Sequence, residues 1–181
     1  MARHVALFRG INVGTAKRIA MADLRKLMEA LGYRDVQTLL NSGNVVFDGA
    51  AGANAKHAQR IRDAVAKKLR VDALVVVKSG QEMAAVVAGN KLAAIASNPS
   101  LLLVALTSDA KALGSLAALA KAHPGVFHLG KDAAYAWCPE GSLKSKVGVA
   151  LLKVLADAGT TRNWATIEKL HGMLQGGGSN A

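Results

Sequence analysis

The chain has 181 residues, of which 51% are hydrophobic and only 4% aromatic, enough to bury an aliphatic core without disulfides or metal as one large domain or two small ones. That composition excludes a disordered chain. With 23 Lys and Arg against 12 Asp and Glu, the formal charge is +11, spread over both halves, and such an excess favours anionic partners through counterion release.

Residues 4 to 9 read as a first strand, ended by the turn Arg9-Gly10-Ile11-Asn12-Val13-Gly14. Met21, Leu24, Leu27, Met28 and Leu31 recur at helical spacing, and Gly32 is placed as the C-terminal cap glycine. Val36 to Leu40 and Asn44 to Phe47 are β-prone runs flanking the hairpin turn Asn41-Ser42-Gly43. From Asn54 to Arg70, Ala58, Ile61, Val65 and Leu69 fall on one helical face, with Lys56, Arg60, Asp63 and Lys67 on another. Ala73 to Lys78 is an apolar strand, and Ser79-Gly80-Gln81-Glu82 is a capping box opening a further helix. The order β-α-β-β-α-β is that of a ferredoxin-like unit, an antiparallel four-stranded sheet with two helices on one face.

Ser97-Asn98-Pro99 marks a connection, after which the pattern restarts. Leu101 to Leu106 reads as a strand, followed by a helix capped by Ser108 or Asp109 that turns Leu113, Leu116 and Leu119 or Ala120 inward. Val126 to Leu129 and Ala133 to Trp137 flank the turn Gly130-Lys131-Asp132, and a helix with Val147, Leu151, Val154 and Leu155 ends at Gly159. A final helix opens at Asn163 and carries Trp164, Ile167, Leu170 and Leu174. The expected fold is therefore α+β: two ferredoxin-like βαββα subdomains in tandem, with mainly antiparallel sheets and helices on one face. The expected boundaries are 1–90 and 91–175, with 176–181 a flexible tail.

No apolar stretch approaches the roughly 20 residues of a membrane span, and Met1 to Val5 leads straight into a strand, so a cytoplasmic protein without membrane contact is expected. Cys138 has no second cysteine and sits in no nucleophile motif; it reads as a small buried hydrophobe. The five histidines show no zinc spacing, and no paired carboxylates or serine elbow are readable, so neither metal nor cofactor is implied.

Ala6 to Gly14, Met21-Ala22-Asp23-Leu24-Arg25, Leu31-Gly32-Tyr33, Asn41-Ser42-Gly43-Asn44-Val45-Val46-Phe47 and Thr160-Thr161-Arg162-Asn163-Trp164 together resemble the bacterial domain-of-unknown-function 1697 family. The resemblance runs from the N-terminus to the last helix. It implies an α+β protein of two related subdomains and carries no activity. Thr15-Ala16-Lys17 follows Gly14 where the family often has a second Gly with basic or Asn residues, and Asn41 replaces a frequent Gln.

Candidate ligand contacts gather where loops meet regular structure. The first loop is neither a dinucleotide fingerprint nor a P-loop. Its glycines can still turn N–H groups toward an anion, with Arg9 as a planar fork, Lys17 as a point charge and Asn12 between them; the alternative is a tight turn in which Asn12 bonds its own backbone. Ser42 and Asn44 read first as turn chemistry. Asn44 is expected at the opposite end of the neighbouring strand from Arg9, so the two need not touch, and topology alone does not join them in a single pocket. Thr161, Arg162 and Asn163 stand at a helix start, either gripping an anion or capping the helix with Arg162 solvated. Lys144 and Lys146 form a second basic helix start. An RNA-binding sheet is disfavoured, because Phe8 and Phe47 alone supply rings.

These observations point to a protein that binds a phosphate-bearing ligand, a nucleotide or nucleic acid, in a groove between the subdomains. One alternative is an enzyme acting on a small anionic substrate through an unidentified acid or base. Another is that the loops are purely structural contacts between subdomains.

Overall fold

The computed structural model describes residues 1–176; beyond Gly176 the expected tail lies outside the described residues. The chain forms two compact units, one of Met1–Gln81 with the chain from Leu170 on, the other of Glu82–Lys169.

In the first unit β1 (Ala2–Phe8), α1 (Met21–Ala30), β2 (Arg34–Leu39), β3 (Asn44–Gly49), α2 (Asn54–Leu69) and β4 (Val75–Ser79) follow one another. The strands pair antiparallel in the order β2-β3-β1-β4, the ferredoxin-like arrangement that the element order predicts. Strand alternation turns Ala6, Phe8, Val45, Phe47, Val75 and Val77 toward Leu24 and Met28 of α1 and Ile61 and Val65 of α2, in one core. Val5, Leu7, Val46 and Val76, on the other face, are fully buried too. The sheet therefore offers no open aromatic platform for bases.

Local chemistry ends α1 as its sequence predicts. Gly32 has φ +89°, its N–H donates to the Glu29 carbonyl (2.9 Å), and the Tyr33 N–H donates to that of Met28 (3.2 Å). This is a Schellman motif. Tyr33 then enters a buried group with His4, Phe47 and His57. The His57 Nε2 lies 2.9 Å from the Ala50 carbonyl, which can only accept, so in the neutral ring Nδ1 is an acceptor and the Tyr33 hydroxyl donates to it at 2.9 Å.

In the second unit, entered within α3 (Gly80–Ala88), a short 3-10 turn at Pro99–Leu101 leads into β5 (Leu102–Thr107). There follow α4 (Ala110–Gly114), α5 (Ala117–Ala122), β6 (Phe127–Leu129), β7 (Ala134–Trp137), α6 (Lys146–Leu155), β8 (Gly159–Asn163) and α7 (Trp164–Gln175). The antiparallel order β6-β7-β5-β8 repeats that of the first sheet. Ala105, Ala134 and Ala136 pack with Leu113, Leu116, Leu119, Val147, Leu151 and Leu155 of its helices.

Four sequence expectations change. The helix expected after β5 is two short helices; the first is capped by Asp109, whose carboxylate accepts from the Ala112 N–H at 2.7 Å. Residues 160 to 163, read as a loop and helix start, are a strand that completes the second sheet, with Val104 opposite Arg162 and Leu106 opposite Thr160. The helix before it stops at Leu155, and Gly159 serves close approach of strands rather than a helix end: a Cβ there would lie 2.3 Å from the Leu106 carbonyl oxygen. The unit limits also differ from 1–90 and 91–175. The Tyr135 hydroxyl donates to the Val86 carbonyl (2.6 Å), holding most of α3 in the second unit, whereas the Met173 carbonyl accepts from Arg3 Nε (3.2 Å), holding the end of α7 in the first.

Candidate functional site

The loop between β1 and α1 holds its shape by backbone conformation and by one side chain. Gly10 and Gly14 take φ +65° and +66°, and Asn12 and Lys17 take +56° and +50°. The Asn12 N–H donates to the Lys17 carbonyl at 3.0 Å. The Asn12 side chain accepts from the Ile19 N–H (2.8 Å) through Oδ1 and donates through Nδ2 to the carbonyls of Ile19 (2.8 Å) and Asn41 (2.7 Å). Asn12 thus closes the loop on itself and pins it to the turn between β2 and β3.

That turn lies beside the end of β1. In an antiparallel pair the end of one strand adjoins the start of the other: Leu7 is opposite Asn44 and the Phe8 N–H donates to the Gly43 carbonyl at 2.9 Å. The expectation that Arg9 and Asn44 sit at opposite strand ends is therefore reversed. Gly43 is required there, since its φ is +84° and a Cβ would lie 2.6 Å from Ile11 Cδ1. Asn44 is fully buried and donates to the Leu39 carbonyl (2.8 Å) and Ser42 Oγ (3.0 Å). Both Ser42 and Asn44 serve the turn.

Where the two loops meet, a cavity of about 320 Å³ opens, lined by Asn12, Arg18, Ile19, Ala20, Met21 and Asn41. Arg18 is exposed and donates one bond, to the Gly14 carbonyl at 3.2 Å. Among the described residues no carboxylate lies within ion-pair distance of it. Met21 opens α1, and Ala20 before it supplies no side-chain cap. Arg9 is half-buried, its N–H donating to the Leu74 carbonyl (2.9 Å), and is not a lining residue. Neither is Lys17, whose charge acts on Asp72. The Asp72 carboxyl is held below the usual range first by the hydrogen bonds from Arg62, then by the charges of Arg62 and Lys17.

The candidates of the second unit are engaged differently. Arg162 is 8% exposed on β8, where it donates to Thr160 Oγ1 (2.8 Å) and the Thr161 carbonyl (2.7 Å). Burial pushes its guanidinium down to about 10. It is a strand residue of a buried face, not an open anion fork at a helix start. Asn163 caps α7 by accepting from the Thr166 N–H at 2.9 Å. Lys144 and Lys146 are exposed before and at the start of α6. The preceding loop lies against that first turn, since a Cβ on Gly148 would lie 2.3 Å from the Ser142 carbonyl oxygen.

Of the sequence candidates, Asn12 alone lines the cavity among the described residues, and Arg18 and Asn41 join it unforeseen. A family model for a protein of unknown function, DUF1697, matches residues 1–135, which include both loops. The chain belongs to the DUF1697 family. Among solved structures, this DUF1697 chain is similar to a conserved bacterial protein from Streptococcus pneumoniae, with a TM-score of 0.77 and 24% identity over 96% of this chain and 98% of that one. The likeness supports the α+β fold of tandem subdomains. No curated protein matches the DUF1697 chain. No helix among the described residues is long and apolar enough to cross a membrane.

Proposed function

We propose that this DUF1697 chain binds a phosphate-bearing anion in the cavity between its first loop and the β2–β3 turn. The observation that carries the reading is Arg18: an exposed guanidinium on the cavity wall with no carboxylate partner among the described residues. One of its five N–H donors is used at Gly14, which leaves the planar fork for an oxyanion. The net charge of +11 draws anions toward it. Asn12 holds the wall in place through three hydrogen bonds, so the site is set before a ligand arrives. The reading is of binding rather than catalysis, because among the described lining residues Arg18 is the one ionisable group, and a guanidinium does not move protons at neutral pH.

Titration calorimetry with inorganic phosphate and simple phosphate monoesters at low ionic strength tests this. Binding is expected to weaken with salt and to fall about 10-fold or more in Arg18→Ala, as loss of a charge-assisted hydrogen bond implies. No heat from any phosphate compound at low salt would end the proposal.

A further inference from the structure

The excess of positive charge, present in both units, is greatest in the first. Residues 1–81 carry 14 Lys and Arg against six Asp and Glu, whereas residues 82–169 carry nine against six. Four of the six acids in residues 1–81 are already engaged, Asp35 and Asp48 by Arg3, Glu29 by Arg25 and Asp72 by Arg62. Three arginines thus answer four carboxylates, and the other cations have few internal partners to meet.

Helix α2 displays that surplus. Lys56, Arg60 and Lys67 are all exposed; at 3.6 residues per turn and 1.5 Å per residue they fall within about 40° of one another, in a row about 16 Å long. Lys68 and Arg70, also exposed, carry the charge past the end of the helix. Among the described residues none of these five lies within ion-pair distance of a carboxylate. The one acid in the row, Asp63, accepts from Gln59 Nε2 at 2.7 Å.

The row costs the helix stability. Lys56 stands in the first turn, at the positive end of the helix dipole, and four residues before Arg60, a like-charge pair. A face that met only solvent would intersperse the two signs. Arg60 is also held in place: its Nη2 donates to the Leu31 carbonyl at 2.6 Å, and its Cζ lies 5.4 Å from the centre of the Tyr33 ring. One cation of the row is therefore set before a partner arrives.

We infer that this face of α2 binds the phosphate backbone of a duplex nucleic acid. A row of cations over about 16 Å matches a line of phosphates rather than a single one. A single strand fits less well, because binding without sequence preference then draws on base stacking against exposed rings, and Phe8, Tyr33 and Phe47, the aromatic residues of the first unit, are all buried. Contacts of this kind grip the backbone and read no sequence. The inference goes beyond the cavity, whose lining contains none of these residues.

Fluorescence anisotropy of the full chain with a labelled DNA duplex of about 20 base pairs, over a salt series, tests it. The double variant K56Q/K67Q is expected to weaken duplex binding about 10-fold or more at low salt and to lower the slope of log K against log salt by about 2. K111Q/K121Q removes the same charge from exposed positions of the second unit and is expected to have a much smaller effect; thermal melts check that both variants fold. Absence of duplex binding at low salt, an equal loss in the two double variants, or a single strand of the same sequence binding as tightly overturns the inference. Displacement of the duplex by poly-L-glutamate as effectively, charge for charge, as by unlabelled duplex overturns it in favour of an acidic protein partner. None of these outcomes bears on inorganic phosphate in the cavity, which Arg18→Ala reports separately.

Discussion

Single residues in this chain do work that their type alone does not announce. Asn12 is legible as a loop residue able to bond backbone; its side chain bonds Ile19 within the same loop, yet its longest-range bond, to the Asn41 carbonyl, depends on a neighbouring hairpin that no local pattern specifies. Arg18 is hard to single out because it follows Lys17 in a short polar run where either cation fits a solvated loop; the fold leaves Arg18 on the cavity and Lys17 off its lining. Arg162 misled for the opposite reason, since a charged side chain is almost never buried without compensation, and its bonds to Thr160 and Thr161 come from its own strand. The Tyr33–His57 pair offers a measurement at this scale. Tyr33→Phe removes the donor to a buried imidazole nitrogen and should cost about 1–2 kcal/mol in urea unfolding; a variant as stable as the parent would show that the bond contributes nothing.

At the level of elements, the first unit was readable almost throughout. Three of its strands contain continuous apolar runs, its helices carry apolar residues three and four apart, and its turns use Gly at positive φ. The strands of the second unit were readable up to the last, although the helix expected after β5 is two short helices and the one before β8 stops at Leu155. Gly-Thr-Thr-Arg-Asn at residues 159–163 has no apolar alternation to announce a strand, and only pairing with β5 makes it one. Two facts drive that pairing: the preceding helix ends early, and Gly159 lets the backbones meet. Gly159→Ala should therefore detach the start of β8, because a Cβ 2.3 Å from the Leu106 carbonyl oxygen meets backbone that cannot swing aside. Hydrogen exchange reads this directly: the amides of β8 should lose protection while those of β6 and β7 keep theirs, and unchanged protection in β8 refutes it.

For the whole molecule, alkaline pH is the condition to which the buried groups respond most. Burial, together with the Asp132 charge, pushes the Tyr135 hydroxyl up to about 12, and burial first, then the Glu140 charge, pushes the Cys138 thiol up to about 11. Both groups are neutral when protonated and their folded values lie above their unfolded ones, so the folded state holds these protons more tightly. Stability is then fully present below about pH 9 and falls as pH rises through about 11 to 12. Urea midpoints measured at pH 8, 10 and 11 should decline, and the double variant Y135F/C138A should flatten the decline; an identical slope would locate the effect elsewhere. The division of the chain has a further consequence during synthesis. Since the first unit is completed by residues from Leu170 on, a nascent chain emerging from the ribosome exposes β1 to β4 early but cannot supply the Met173 carbonyl to Arg3, or Leu174 beside Gly80, until all of residues 82–169 have been translated. The portion of the protein that is made first is finished last.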